Sequence, residues 1–246
     1  VQGDNVRTLK KNIPVLVYHK LARPSRHDAN PNTCVSPSAF AAQMRLLAAL
    51  GYGTPRPEEY RRALAGLPAD LPPKPVLITF DDAFASALEV GLPVLKRHGF
   101  TAAAFMVSSA FGGRAFWDGE TAGSPNRLLT AEELRRLAGE GWEIGSHGLR
   151  HRDFSSLGED ELREETRASR AALETALGRP VRWFAYPYGS CTPAAEAAVG
   201  GAGYELGFAT ELGAGGPLAV PRRIISGRCG IVRFLLRLRQ AGRMKA

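Results

Sequence analysis

Val76-Leu77-Ile78-Thr79-Phe80-Asp81-Asp82 decides how this chain is read. Residues 76–80 are apolar or β-branched throughout, as in a strand buried on both faces, and two carboxylates stand where it ends. Further strand candidates lie at 13–18, 101–107, 142–145, 181–186 and 205–209. Helical patterns lie between them. Ser36 caps a helix with Pro37 in its first turn, Phe40, Met44 and Leu47 on its apolar side, and Gly51 at its end. Further helices are expected at 57–64, at 85–98 with a break around Gly91 and Pro93, at 131–138 behind a Thr130/Glu133 capping box, and at 159–177, 193–202 and 231–238. The proline-rich residues 68–75 read as a surface loop. Alternation of strand and helix from end to end means parallel strands joined by helical crossovers. No G-x-G-x-x-G follows an early strand and no P-loop occurs, which removes the main support for an open nucleotide-binding sheet. About seven strand–helix units predict an α/β fold, a distorted (β/α)7-type barrel of parallel strands with outer helices. Residues 1–12 read as an N-terminal extension and 13–246 as one domain.

Composition excludes disorder, collagen and coiled coil, since apolar residues make up 44% and charged residues 23%, the balance of a globular chain. The 32 basic and 24 acidic residues leave a net charge of +8. Such a surface favours anionic surroundings, whether nucleic acid, lipid or an acidic polymer, and charge alone does not choose among them. Cys34, Cys191 and Cys229 form no C-x-x-C pair, so a zinc ribbon and a thioredoxin-like motif are excluded. One bridge with one free thiol, or three free thiols, both remain open. Residues 1–12 contain no apolar core, and no signal peptide is visible in the chain.

In a parallel α/β fold the chemistry sits at the C-terminal ends of the strands. Asp81 and Asp82 follow the strand at 76–80. Adjacent buried carboxylates disfavour double ionisation, a conflict that a cation removes; two acids at a helix N-terminus are the alternative. His147 and His151 follow the strand at 142–145. On a helical turn this spacing puts both imidazoles on one side, where they can share a metal; the alternative is two unrelated loop histidines. With Asp82 from another strand end they make a His/His/Asp set with an open position, a catalytic rather than a structural arrangement. Pro187-Tyr188-Gly189 follows the strand at 181–186, where a tight turn can aim a backbone N–H at a reacting oxygen.

In this order, Thr79-Phe80-Asp81-Asp82, His147-x-x-x-His151 and Pro187-Tyr188-Gly189 resemble the polysaccharide deacetylases of carbohydrate esterase family 4, the NodB-homology domain. The likeness runs from about Ile13 to Ile225 and includes the opening Pro14-Val15-Leu16-Val17-Tyr18-His19 and the segment from Phe40 to Met44. It looks most like the branch of poly-N-acetylglucosamine deacetylases. The resemblance implies one divalent metal, most often Zn2+, held by Asp82, His147 and His151. It implies Asp81 as general base, the Tyr188 N–H as an oxyanion donor, and Pro187 and Gly189 beside the substrate. It also implies a glycan substrate with N-acetylated amino sugars, and a secreted or cell-envelope setting. No nucleic-acid partner is expected, contact with an anionic cell surface is allowed for, and a monomer is expected.

Three departures bear on activity. The family often has Arg in the Pro-Tyr-Gly motif to hold the catalytic aspartate, and Ala185 stands there. Ala83 replaces the Gly usual after the two aspartates. The late Leu-x-His that supplies a general acid is absent, because no histidine follows His151. His19, just after the first strand, is the substitute expected to face the same cleft; a structural role is its alternative. His27 reads as a loop residue and His98 as a helix-end cation. Trp117-Asp118 and Trp142 are candidates to meet sugar, with packing as the ordinary explanation. The basic last helix is a candidate contact for an anionic surface. Two other functions compete with the deacetylase. A glycoside hydrolase leaves the histidine pair unexplained, and adjacent carboxylates seldom straddle a sugar ring. A non-catalytic glycan-binding domain is kept open by Ala185 and the missing acid.

Overall fold

The computed structural model describes residues 13–24, 28, 30–119, 125–210 and 216–241. The extension at 1–12, His27 and the last five residues lie outside them. The strands in chain order are β1 (Val15–Tyr18), β2 (Tyr52–Gly53), β3 (Lys74–Pro75), β4 (Leu77–Phe80), β5 (Ala103–Met106), β6 (Glu143–Ser146), β7 (Trp183–Ala185), β8 (Leu206–Ala209), β9 (Val220–Pro221) and β10 (Arg223–Ile224). The helices are α1 (Pro37–Ala49), α2 (Pro57–Leu64), α3 (Leu92–Lys96), α4 (Ala131–Gly139), α5 (Glu159–Leu177), α6 (Pro193–Gly201) and α7 (Ile231–Ala241).

Eight strands form one all-parallel sheet in the order β10-β1-β4-β5-β6-β7-β8-β9. The two ends of that order are one piece of chain. Val220 and Pro221 pair with Phe208 and Ala209 of β8, and two residues later Arg223 and Ile224 pair with Leu16 and Val17 of β1. This segment therefore joins the last strand to the first, and the eight strands make seven staves of a nearly closed barrel. The expected (β/α)7-type architecture is the one observed. Strand alternation sorts the side chains. Val15, Leu77, Ala103, Phe105, Trp183, Ala185, Leu206, Phe208 and Val220 fill the interior. Leu16, Tyr18, Ile78, Phe80, Ala104, Met106, Ile144 and Phe184 pack outward under the helices. Tyr60 of α2 joins the interior set, with its ring 5.6 Å from Trp183 and 6.2 Å from Phe208.

Local signals placed most elements. The Ser36 hydroxyl caps α1 at Ala39 N–H, and Thr130 with Glu133 forms the full capping box of α4. Residues 85–98 differ from the expected break. Ala87–Gly91 makes a π-helical turn that runs without a break into α3, and Pro93 is the second residue of α3. The proline-rich loop is not wholly irregular, since Lys74 and Pro75 pair with β2. All three cysteines are free thiols.

Candidate active site

The first turn beyond β4 begins with Asp81 and Asp82, both buried. Asp82 has φ 64° and Ala83 φ 55°. A left-handed alanine costs about 1–2 kcal/mol, which explains why glycine is common at such a place. Burying the methyl group returns about 0.8 kcal/mol. The two bends turn the carboxylates in different directions. Asp81 accepts two parallel bonds from the Arg222 guanidinium, Nη1 to Oδ1 at 2.7 Å and Nη2 to Oδ2 at 2.8 Å. Asp82 faces the histidines instead.

Arg222 is the residue that sequence reasoning missed. It sits between β9 and β10 on the closing stave and is fully buried. It also donates to Thr79 Oγ1 at 3.3 Å and to the Ala209 carbonyl at 3.4 Å, and its guanidinium lies over the rings of Phe105 and Phe208. The guanidinium that Ala185 cannot supply thus arrives from the closing stave, on the far side of β8 from Ala185. Burial pushes the Asp81 carboxyl upward, and Arg222, His147 and His19 together more than offset this, so it stays below the ordinary carboxylate range.

His147 follows β6 and is buried. Its Nδ1–H donates to the Ala185 carbonyl at 2.7 Å, which leaves the Nε2 lone pair facing the cleft. Burial lowers its proton affinity to about 4, against the opposing pull of Asp81, so the ring is neutral near pH 7. His151 is reached through an open loop, not the helical turn that its spacing suggested. Gly148 at φ 78° and His151 at φ 56° bend the chain back. Glu165 of α5 holds this loop from below, its Oε2 accepting from the N–H groups of Leu149 at 2.8 Å and Arg150 at 2.9 Å. Glu165 is buried on the inner stripe of α5 with Leu162, Thr166, Ser169 and Leu173. An acid on an apolar stripe is the signal that could have revealed it.

The ligand atoms of Asp82, His147 and His151 lie within 4.8 Å of one another. Asp82 Oδ1 is 3.3 Å from His151 Nε2 and 3.7 Å from His147 Nε2, yet this buried oxygen makes no well-aligned hydrogen bond among the described residues. Burial raises the Asp82 carboxyl and the three histidines His151, His19 and His147 outweigh it, leaving Asp82 well below its usual range. A charged oxygen without a donor, facing two imidazole nitrogens, fits a divalent cation better than it fits a hydrogen-bond network.

Aromatic rings wall the site. Trp117 stacks on His151 at 4.6 Å and 13°, and Tyr188 meets the same ring edge-on at 4.7 Å. Tyr188 has φ 58° and an exposed side chain. Gly189 follows at φ 74°, and a Cβ there would collide with the Thr210 side chain, so the turn after Pro187 requires glycine. Asp118, next to Trp117, is half-buried, and its carboxyl is raised by burial and then by the charge of Asp82. His19 is half-buried at the end of β1, with its Nδ1 buried and unpartnered among the described residues. Tyr18 pairs with Phe80 in parallel strands, so His19 leaves the sheet at the same end of the barrel as Asp81. Trp142 is elsewhere, stacked on Phe80 in the core at 5.4 Å.

Comparison with known proteins agrees with this geometry. A family model described as polysaccharide deacetylase matches residues 69–207. The YxkH protein of Bacillus subtilis (strain 168) is 28% identical over 204 residues, which span 82% of this chain and 66% of that protein. Among solved structures, the Streptococcus pyogenes deacetylase PplD in complex with acetate superposes with a TM-score of 0.76 at 27% identity, covering 92% of this chain and 97% of that one. IcaB from Ammonifex degensii superposes with a TM-score of 0.74 at 26% identity, covering 94% and 97%. With a family match over more than half its length, and the family's three motifs gathered at one end of a parallel barrel, the chain belongs to the polysaccharide deacetylase family.

Proposed function

We propose that this domain is a metal-dependent hydrolase that removes N-acetyl groups from a polysaccharide containing N-acetylglucosamine and releases acetate. The observation that carries the reading is the division of labour between the adjacent aspartates. Asp82 faces both histidines with an oxygen that has no hydrogen-bond donor among the described residues, while Asp81, 3.9 Å from His147 Nε2, has both its oxygens gripped by Arg222. Asp82 Oδ1, His147 Nε2 and His151 Nε2 would hold the ion, and nitrogen with carboxylate oxygen suits Zn2+. Bound there, such an ion supplies Lewis-acid polarisation of the acetamide carbonyl and lowers the pKa of a water.

The chain's own groups do the rest. Asp81, kept ionised by Arg222, accepts a proton from the attacking water. The Tyr188 N–H donates to the oxygen that becomes negative as the carbonyl carbon turns tetrahedral. The C–N bond then breaks, and the nitrogen leaves as an amine only if it is protonated, because an amide anion is a very poor leaving group. His19 is assigned that proton transfer, and protonated Asp81 is the alternative donor. Trp117, Asp118 and Tyr188 would border the sugar. That PplD is a deacetylase whose structure holds acetate supports the reaction class.

Arg222 removes one of the two reasons for a non-catalytic glycan-binding domain, because Asp81 has its cation after all. The deciding experiment measures metal content and acetate release on N-acetylglucosamine oligomers and on peptidoglycan. Activity should vanish with chelation and return with Zn2+. His147→Ala should lose both metal and turnover. A metal-loaded, folded protein that binds these glycans without releasing acetate would establish the binding-domain reading instead.

A further inference from the structure

The charge of this protein is unevenly distributed. Residues 1–211 contain 24 basic and 24 acidic side chains, and residues 212–246 contain eight basic ones and no acid. The whole net charge of +8 therefore belongs to the last 35 residues. One of the eight, Arg222, is engaged with Asp81 inside the barrel. Arg228, just before α7, and Arg233 and Arg239 on it are exposed.

Apolar exposure concentrates in the same place. Eight large hydrophobic side chains are exposed among the described residues, and Ile224, Ile231, Val232 and Leu236 are four of them. Helix α7 buries Phe234, Leu238 and Ala241 against the barrel. The helical period puts Val232, Leu236 and Arg239 on the opposite side, at i, i+4 and i+7. Val232 is 74% exposed and Leu236 52%. An outer face that only needed solvation would carry polar residues there. Aliphatic side chains at the outermost positions, rimmed by arginines and with no acid nearby in the chain, match the interface of an anionic lipid bilayer, which rewards both. A soluble polyanion rewards the cations alone.

We propose that the outer face of α7 is a docking surface for an anionic lipid bilayer. Val232 and Leu236 enter the headgroup boundary, and Arg228, Arg233 and Arg239 meet lipid phosphates. The contact is peripheral, since no helix among the described residues is long and apolar enough to cross a membrane. It does not rest on the deacetylase reading, and vesicle binding tests it without turnover.

The test is co-sedimentation of the full chain with phosphatidylcholine vesicles, with and without phosphatidylglycerol, alongside binding to lipid-free polyphosphate. The chain should sediment with the anionic vesicles and not with pure phosphatidylcholine, and salt should weaken the binding. Val232→Glu with Leu236→Glu should weaken partition on the order of tenfold or more. Arg233→Gln and Arg239→Gln should each weaken it about fivefold. Melting curves should match the parent, and Leu236→Asn alone reads the same contact if the double variant folds poorly. Failure to bind anionic vesicles would overturn the proposal. So would vesicle binding that ignores Val232 and Leu236 while polyphosphate binds equally well, because the face would then be a polyanion site.

Discussion

Asp81 and Asp82 are neighbours with the same side chain, and their surroundings give them different chemistry. Asp81→Asn should keep the metal and lose most turnover, about 10²–10⁴-fold, the usual worth of a positioned base. Asp82→Asn should weaken metal binding itself. Metal analysis beside acetate release distinguishes the two, and equal metal loss in both variants would refute the division. Arg222→Met tests the cation that sets them apart. It leaves a buried carboxylate unpaired, at a cost of about 3–5 kcal/mol in urea denaturation near neutral pH. The sign follows from Asp81 being held below its ordinary range. The pair's contribution is complete above about pH 3.9, the unfolded-chain value, and fades as pH falls further. The gap between parent and variant should therefore close in acid. A gap independent of pH would mean that Arg222 acts through packing on Phe105 and Phe208 instead.

At the scale of elements, the histidine pair depends on a helix that contains neither histidine. Glu165 on α5 fastens the Leu149 and Arg150 amides and so fixes the bend that returns His151 to Asp82. Glu165→Ala should lower metal affinity by about 10–100-fold, as loss of a group supporting metal ligands usually does. Hydrogen exchange at the two amides should quicken. Glu164→Ala, which removes an exposed partner of Arg150, is the control and should change neither. Unchanged metal affinity in the Glu165 variant would show that the loop holds its shape through Gly148 and the aromatic stack alone.

For the molecule as a whole, the site sets a pH limit on the metal-free fold. His147 takes a proton only near about 4 in the folded protein, because it is buried. In the unfolded chain it does so near about 6.5. As pH falls between those values the unfolded state binds the extra proton, so stability declines, by about 3 kcal/mol across the window. Urea denaturation of chelated protein at several pH values should show this decline, and His147→Gln should flatten it. An equal decline in that variant would assign the proton uptake elsewhere.

The sequence by itself determined the alternation of strand and helix, the capped starts of α1 and α4, and the strand ends that carry Asp81, Asp82, His147 and Tyr188. These are local matters, set by periodicity, caps and the rule that chemistry sits where parallel strands stop. It also held the three motifs by which the family is recognised. Tertiary structure alone decided what is not local. Arg222 lies 141 positions from Asp81 in the chain, on a stave split between two partners, and looks from the sequence like one more surface arginine. The bend between His147 and His151 depends on Glu165, which is 16 residues from Leu149. A buried charge needs a partner whatever the sequence distance, and only closure of the barrel brings that partner within hydrogen-bond reach.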